Sequence, residues 1–290
     1  MLLLDKPAGV TSNAALMRVK RLYNAEKAGH TGTLDPLASG LLPICFGAAT
    51  RFAQFLLDAP KRYVATIRFG ATTTTLDAEG EVVEARTVNL DRDAVEAALA
   101  GFTGPQTQTP PAHSALKFEG RAYYDYARRG IDIPRAPRPV TIHRLRLVQW
   151  QSPDAVVDVE CSKGTYVRVL AADLGDALGC GAHLAALRRT ASGGFHLRDA
   201  VTFDALDAKD EAGRDACLQP ASVLVRHLPA LIVAAEDAQR FRHGGAVPAL
   251  ACGDGLVAAY EAHTLLGIAE VANGLANPRR TISAAPARPA

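Results

Sequence analysis

Residues 29–40 read GHTGTLDPLASG, a run that neither a regular helix nor a long strand accommodates well. Its three glycines and one proline interrupt regular backbone structure, so the segment predicts a loop. A phosphate-binding G-x-x-x-x-G-K-[ST] loop is excluded by the missing lysine, and one carboxylate is too few for a calcium loop. An aspartate before a proline commonly forms a turn, but Asp35 in a loop that ligands approach closely is also a candidate nucleophile.

Alternating and helix-like apolar patterns are interspersed along the chain of 290 residues. The segment YVATIRF (63–69) places Tyr, Ala, Ile and Phe on one face, which predicts a strand with core packing as the default role of Tyr63. Ser12 is expected to be the N-cap of a helix over about 13–23. Further strands are expected at 2–5 and 156–161, helices at 91–100 and 120–130, and loops at 72–80 and 106–117.

The segment SKGTYVRVLAADLG (162–175) is a second candidate for chemistry. If a strand continues over 165–170, Tyr166 and Arg168 lie on the same face. A cation beside an aromatic ring could hold a carboxylate and a flat base together. The alternative is a surface turn with an arginine that extends along the surface into water.

Composition excludes several classes of protein. The chain is 48% apolar and 21% charged, which indicates a folded core. No apolar run is long enough for a transmembrane helix, and the apolar start is too short for a secretory signal. Five dispersed cysteines without a C-x-x-C pair argue against a zinc site or a disulfide framework. We therefore expect reduced thiols, a cytoplasmic protein, and neither a metal nor a membrane partner.

Charge is distributed unevenly although the net charge is only +2. Residues 117–146 carry eight Lys/Arg against three acids, and residues 1–62 carry eight against four. Residues 75–100 carry seven acids against two arginines. A basic surface balanced by acidic segments elsewhere suggests a polyanionic partner, although solvated basic surfaces are common.

The composition changes near 226–229, which predicts a domain boundary. Short apolar runs such as LVAAY and LLGIAEV then predict a small β domain over 228–282. Residues 283–290 are rich in Ala and Pro and are expected to be a disordered tail.

An ordered series of motifs over about residues 1–225 resembles the bacterial tRNA pseudouridine-55 synthases, the TruB family. The motifs are LLLDKPAGVTSN (2–13), KAGHTGTLDPLASGLLPICFGAAT (27–50), KRYVATIRFG (61–70), TTTTLDAEG (72–80), PPAHSALK (110–117), RAYYDYARRGI (121–131), RPVTI (138–142), CSKGTYVRVLAADLG (161–175) and GCGAHLAALRRTASGGF (179–195). The end of the chain resembles a PUA-type RNA-binding domain, mainly through LLGIAEV (265–271).

The resemblance implies roles for individual residues. Asp35 would be the catalytic nucleophile, paired with Arg168, and Tyr166 would contact the base. His30 would fill the gap left by the flipped uridine, and Tyr63 would stack on the flipped base. Asp77 would help to organise the site, and Leu187 would line the uracil pocket. Lys6 and Pro7 match a motif that we expect to give structural support.

The resemblance also implies an α+β pseudouridine synthase fold with a mixed, largely antiparallel sheet and a central cleft. We expect a catalytic domain at 1–227, a basic RNA-gripping insertion at 117–146, and a PUA-like domain at 228–282. The partner would be the T-arm of tRNA, and the chain would be a monomer without a cofactor. A non-catalytic tRNA-binding or tRNA-folding chaperone is the main alternative, and a base-excising glycosidase is a weaker one.

Overall fold

A computed structural model describes residues 1–282, so the tail predicted at 283–290 lies outside the described residues. In chain order the strands of this range are β1 (Leu2–Lys6), β2 (Ala28–His30), β3 (Ser39–Phe46), β4 (Lys61–Phe69), β5 (Ala71–Thr73), β6 (Val82–Ala85), β7 (Gly104–Gln108), β8 (Lys117–Phe118), β9 (Arg121–Ala122), β10 (Arg138–Gln151), β11 (Asp154–Cys161), β12 (Ala182–Ser192), β13 (Phe195–His196), β14 (Ala230–Ile232), β15 (Val247–Pro248), β16 (Gly255–Glu261), β17 (Thr264–Ala272) and β18 (Leu275–Thr281).

The helices are short. In chain order they are α1 (Ser12–Leu22), α2 (Ala53–Asp58), α3 (Arg92–Gly101), α4 (Tyr123–Ala127), α5 (Val167–Ala177), α6 (Phe203–Asp207), α7 (Glu211–Asp215) and α8 (Ala235–Arg242). Three 3-10 turns lie at Gly47–Phe52, Leu197–Asp199 and Ala221–Leu224. None of the helices described in residues 1–282 is both long and apolar enough to span a bilayer.

A large mixed sheet forms the centre of the molecule. Its strands follow the order β1-β3-β12-β4-β11-β10-β7, with β2 beside β3 and β13 beside β12. Strands β3 and β12 run parallel, and the other neighbours within this sheet are antiparallel. The prediction of an α+β fold with a mixed, largely antiparallel sheet is confirmed.

Apolar side chains fill both faces of the large sheet. Strand β1 shows this directly, since Leu2 and Leu4 join one buried cluster while Leu3 joins another. Successive side chains of a strand point to opposite faces, so β1 is covered on both sides. Helices α1, α3 and α5 contribute buried side chains to the first cluster, which also contains Tyr63 and the predicted core face of β4.

A second sheet with the order β14-β16-β17-β18-β15 lies in the range predicted to be a small β domain. It is joined to the large sheet by a common apolar cluster. In that cluster Ala258 and Ile268 of the second sheet pack with Leu3, Leu41 and Phe195 of the first.

The prediction of a strand at 165–170 is wrong. Strand β11 ends at Cys161, Gly164 turns the chain with a φ of +79°, and α5 begins at Val167. The buried positions 167, 170, 171 and 174 follow the helical spacing, which prevails over the alternation that Tyr166 and Arg168 suggest.

The predicted N-cap of the first helix is also wrong. Thr11 caps α1 by accepting the amide of Ala14 at 3.0 Å, while Ser12 is buried inside the helix start.

The expected helix over 120–130 is reduced to α4, because Arg121–Ala122 pair with β8 instead. The loops expected at 72–80 and 106–117 overlap the ends of β5 and β7. Pro105 is tolerated in β7 because this strand lies at the edge of the sheet.

Candidate active site

The glycine-rich segment connects β2 to β3 and carries Asp35. The buried hydroxyl of Ser12 donates to the carbonyl of Leu34 at 2.9 Å and accepts the amide of Leu34 at 2.8 Å. On the other side of Asp35, the amide of Gly9 donates to the carbonyl of Pro36 at 2.8 Å. The start of the chain and of α1 therefore holds the backbone on both sides of Asp35.

Arg168 lies between two carboxylates. One terminal nitrogen of its guanidinium lies 3.2 Å from Oδ2 of Asp35, and the other lies 3.4 Å from Oδ2 of Asp77. The nitrogen that faces Asp35 also donates to the carbonyl of His113 at 2.7 Å. Arg168 is only 4% exposed, so the protein fixes its orientation without help from solvent.

Asp77 is the buried member of this arrangement. Its Oδ1 accepts the hydroxyl of Thr75 at 2.5 Å and the amide of Glu79 at 3.1 Å, which leaves Oδ2 for Arg168. A short bridge between Asp77 and Leu184 attaches this turn to β12. Asp77 therefore orients Arg168, and the more exposed Asp35 remains available to a substrate.

The carboxyl of Asp35 experiences opposing effects. Burial is the largest and raises its pKa, the negative charge of Asp77 acts in the same direction, and Arg168 and Lys6 oppose both. The net direction is upward from the ordinary value of an aspartate. A guanidinium this close lowers the pKa of an aspartate. Arg168 acts in that direction, but burial is stronger.

Tyr63 and Leu187 lie on adjacent central strands of the large sheet. The register of β4 and β12 sets Tyr63 opposite Arg189 and Ala65 opposite Leu187, so these side chains share one face. Tyr63 is 9% exposed, and burial raises the pKa of its phenol. Leu187 is half-buried and packs against the same apolar cluster as Tyr63.

Tyr166 is positioned through its backbone. Its amide donates to Oε1 of Gln108 at 3.0 Å, and Nε2 of Gln108 donates back to its carbonyl at 3.4 Å. The guanidinium carbon of Arg168 lies 5.8 Å from the centre of the Tyr166 ring. Burial raises the pKa of the phenol. The predicted pairing of an arginine with an aromatic ring is thus present, although a helix start produces it rather than a strand.

His30 ends β2, directly before the loop that carries Asp35. Within residues 1–282 its Nδ1 is buried and has no hydrogen-bond partner. Burial and the charge of Arg189 both lower the pKa of the imidazole. The lowered pKa favours the uncharged imidazole at neutral pH.

Sequence reasoning missed two buried cations behind the loop. Lys61 donates to the carbonyls of Leu57 and Ala59 at 2.5 and 2.7 Å, and Arg189 is fully buried on β12. Alternation along β12 could have placed Arg189 on the face of Leu187. Lys6 was expected to be structural, and its Nζ indeed donates to two backbone carbonyls at 2.6 and 2.8 Å.

Clusters of three or more His, Cys, Asp or Glu side chains suited to a metal ion do not occur in the described part of the chain, residues 1–282. The functional groups around Asp35 are a second carboxylate, an arginine, a lysine and two phenols. This set can supply a nucleophile, orient it and stack against a planar base, while the absence of a cofactor stays a prediction.

Three family models match consecutive parts of the chain. The TruB family pseudouridylate synthase N-terminal domain matches residues 20–167. The tRNA pseudouridylate synthase B C-terminal domain matches residues 168–226, and the Pseudouridine synthase II TruB C-terminal model matches 229–282. Together they account for nearly all of the described residues.

Full-length relatives agree with the family models. The chain is 54% identical to the tRNA pseudouridine synthase B of Thiobacillus denitrificans over 98% of this chain and 95% of the relative. It is also 54% identical to the protein of the same name from Burkholderia lata, over 97% of this chain and 89% of the relative.

Solved structures share the fold. The crystal structure of a Cbf5-Nop10-Gar1 complex matches with a TM-score of 0.73 and 30% identity, covering 93% of this chain and 77% of the matched chain. That of the archaeal box H/ACA sRNP Nop10-Cbf5 complex matches with a TM-score of 0.73 and 26% identity, covering 97% and 85%. The chain therefore belongs to the TruB family of pseudouridylate synthases.

Proposed function

We propose that this chain is a tRNA pseudouridine synthase that converts uridine-55 in the T-loop of tRNA to pseudouridine, with Asp35 as the nucleophile. The observation that carries the proposal is the partly exposed carboxylate of Asp35 held by the buried Arg168 at 3.2 Å. The names of the relatives in Thiobacillus and Burkholderia support tRNA as the substrate.

The reaction is an isomerisation. The N1–C1′ bond of uridine breaks, the uracil rotates, a C5–C1′ bond forms, C5 loses its proton and N1 gains one. No electron leaves or enters the substrate, and no external group is transferred. The reaction needs the Asp35 carboxylate at the ribose–uracil bond, a base that takes the C5 proton and a pocket that retains the free uracil. Asp35 and Tyr166 are the candidates for the C5 proton.

The uridine must leave the folded T-loop before it reaches Asp35. Extruding a base costs a few kcal/mol, which new stacking can offset. Tyr63 would stack on the flipped base, Leu187 would line its pocket, and His30 would fill the gap left in the RNA. The position of His30 directly before the loop of Asp35 and the shared sheet face of Tyr63 and Leu187 support these roles.

The basic segment 117–146 would grip the T-arm. Arg128 and Arg129 are exposed at the end of α4, and Arg128 lies 5.4 Å from the ring of Tyr124. Cations beside an exposed aromatic ring suit an RNA backbone with unstacked bases. We propose a PUA-like RNA-binding role for 228–282 and the catalytic role for 1–227, a division that the change of family model between 226 and 229 supports. We also propose that the chain acts as a monomer in the cytoplasm.

Mapping the product position tests the proposal. An unmodified tRNA transcript would be incubated with the enzyme, treated with a carbodiimide that marks pseudouridine, and read by primer extension. We expect one new stop, at uridine-55, and none with Asp35→Asn. Modification at another position would contradict the T-loop assignment, and no modification would contradict the function.

A further inference from the structure

Arg189 is the largest fully buried side chain described in residues 1–282, with 1% of its surface exposed. Arginine keeps its charge under all ordinary conditions, so the protein holds a full positive charge here. Two backbone carbonyls bind the guanidinium in place of a carboxylate. Nε donates to the carbonyl of Leu41 at 2.7 Å, and a terminal nitrogen donates to the carbonyl of Gly32 at 3.1 Å.

These two carbonyls lie at opposite ends of the loop that carries Asp35. Gly32 follows β2 by two residues, and Leu41 lies at the start of β3. The planar guanidinium therefore bridges both ends of the loop with a fixed angle between its donors. Lysine offers a single rotating donor group at the end of a flexible stem and does not reproduce that geometry.

The loop backbone lies directly against strand β12 at Arg189. Gly32 and Gly40 have φ values of +108° and +101°, which side-chain-bearing residues rarely adopt. A Cβ added at Gly40 would lie 2.4 Å from the carbonyl oxygen of Arg189, so only glycine permits β3 to approach β12 here. A Cβ added at Gly32 would lie 3.6 Å from a terminal nitrogen of Arg189.

Packing alone does not explain an arginine at this position. Lys6 and Lys61 are also buried, and burial together with the charge of Arg189 lowers the pKa of each to about 8. A third buried positive charge beside them is unfavourable, and an apolar side chain would avoid it. An apolar side chain would not form the two hydrogen bonds to the carbonyls of Leu41 and Gly32.

We propose that Arg189 is a positioning residue that sets the conformation of the loop and thereby the place of the Asp35 carboxylate. It acts through Gly32 and Leu41, and its guanidinium also faces the phenol of Tyr63. The inference rests on the proposed function for its kinetic part, while its structural part is independent of any activity.

The test compares Arg189→Lys with Arg68→Lys, an exposed arginine on β4 that pairs with Asp154 rather than with the loop. Single-turnover pseudouridine formation and tRNA affinity would be measured for both. For Arg189→Lys we expect a rate at least tenfold below that of the unaltered enzyme, tRNA affinity within threefold, and a melting temperature within a few degrees. Arg68→Lys should keep the rate within twofold.

Hydrogen exchange at the amides of 31–41 is the second readout. We expect faster exchange in Arg189→Lys at these amides, with the rest of the chain unchanged. A rate within twofold of the unaltered enzyme, or a general loss of protection and melting temperature, would overturn the inference. If the unaltered enzyme makes no pseudouridine, the proposed function fails, and hydrogen exchange alone decides whether Arg189 orders the loop.

Discussion

A single buried arginine connects the two carboxylates of the site. Asp77 has 2% of its surface exposed and binds one terminal nitrogen of Arg168. The other terminal nitrogen is left for Asp35. Hydrogen bonds to charged groups contribute about 1.5–3 kcal/mol each. We therefore propose that the buried carboxylate holds the arginine and that the partly exposed one is the group that reacts.

Replacing Asp77 with Asn should lower the rate without weakening binding. The amide keeps the size of the side chain but removes the charge that faces Arg168, so the guanidinium loses its fixed orientation. We expect at least a tenfold loss in single-turnover rate, with tRNA affinity in filter binding within about threefold. The control is Asp154→Asn, which removes a largely exposed ion pair with Arg68 and should change neither.

The pH dependence of the rate reports on Asp35. Burial raises the pKa of its carboxyl, so the reactive carboxylate is lost at a higher pH than for an ordinary aspartate. We expect the single-turnover rate to rise with pH and level off, with a midpoint above the ordinary aspartate value of about 4. A midpoint below that value would show that Arg168 outweighs burial.

At the scale of elements, the contact between β3 and β12 brings the loop of Asp35 to the face of Tyr63 and Leu187. Gly40 lies opposite Arg189 in the short parallel register of these strands. An alanine there meets both a clash at 2.4 Å and an unfavourable φ of +101°.

Gly40→Ala should therefore destabilise the fold by more than about 1 kcal/mol in urea unfolding. The matched control is Gly101→Ala at the end of α3, where a Cβ would meet open space. The control should be neutral or slightly stabilising, and equal effects of the two changes would contradict the proposed role of the β3–β12 contact.

The sequence predicted best those elements in which apolar residues recur with a single period. Strand β4 was expected at 63–69 and spans Lys61–Phe69, because apolar residues alternate along it. At 165–170 the residues fit both a strand and a helix, and the surrounding core selects the helix. Ser12 looked like a helix cap, but its hydroxyl holds Leu34, a contact 22 residues away that no local pattern contains.

The residues of the candidate site also differ in whether a local sequence pattern predicts them. Asp35, Tyr63, Tyr166 and Arg168 were singled out from their motifs, and the structure sets Arg168 against Asp35. Arg189 was missed because its function depends on Gly32 and Leu41, which are distant in sequence. The upward pKa of Asp35 was missed because burial cannot be read from the motif.

At the scale of the whole molecule, the basic segment 117–146 contributes no side chain to the apolar cluster that the two sheets share. The two sheets share an apolar cluster that includes Leu41 and Ile268, while Arg128 and Arg129 extend from a short hairpin and helix. Phosphate contacts from such arginines supply salt-dependent affinity without selecting a base.

Changing Arg128 and Arg129 together to Gln should weaken tRNA binding. The slope of log affinity against log salt concentration should fall by the amount expected for about two phosphate contacts. The rate at saturating tRNA should stay within about threefold, because neither residue lies in the Asp35 site. Arg92→Gln, in the acidic segment on α3, is the control and should leave the salt dependence unchanged. An unaltered salt slope in the double variant would place the RNA elsewhere.

Release of tritium from a T-arm transcript labelled at C5 of uridine tests the central claim most directly. Forming the C5–C1′ bond requires the C5 hydrogen to leave, so the account predicts one tritium released per RNA by the unaltered enzyme. Asp35→Asn should release none while binding the transcript within a few-fold of the unaltered affinity. Tight binding without release by the unaltered enzyme, or full release by Asp35→Asn, would contradict the account.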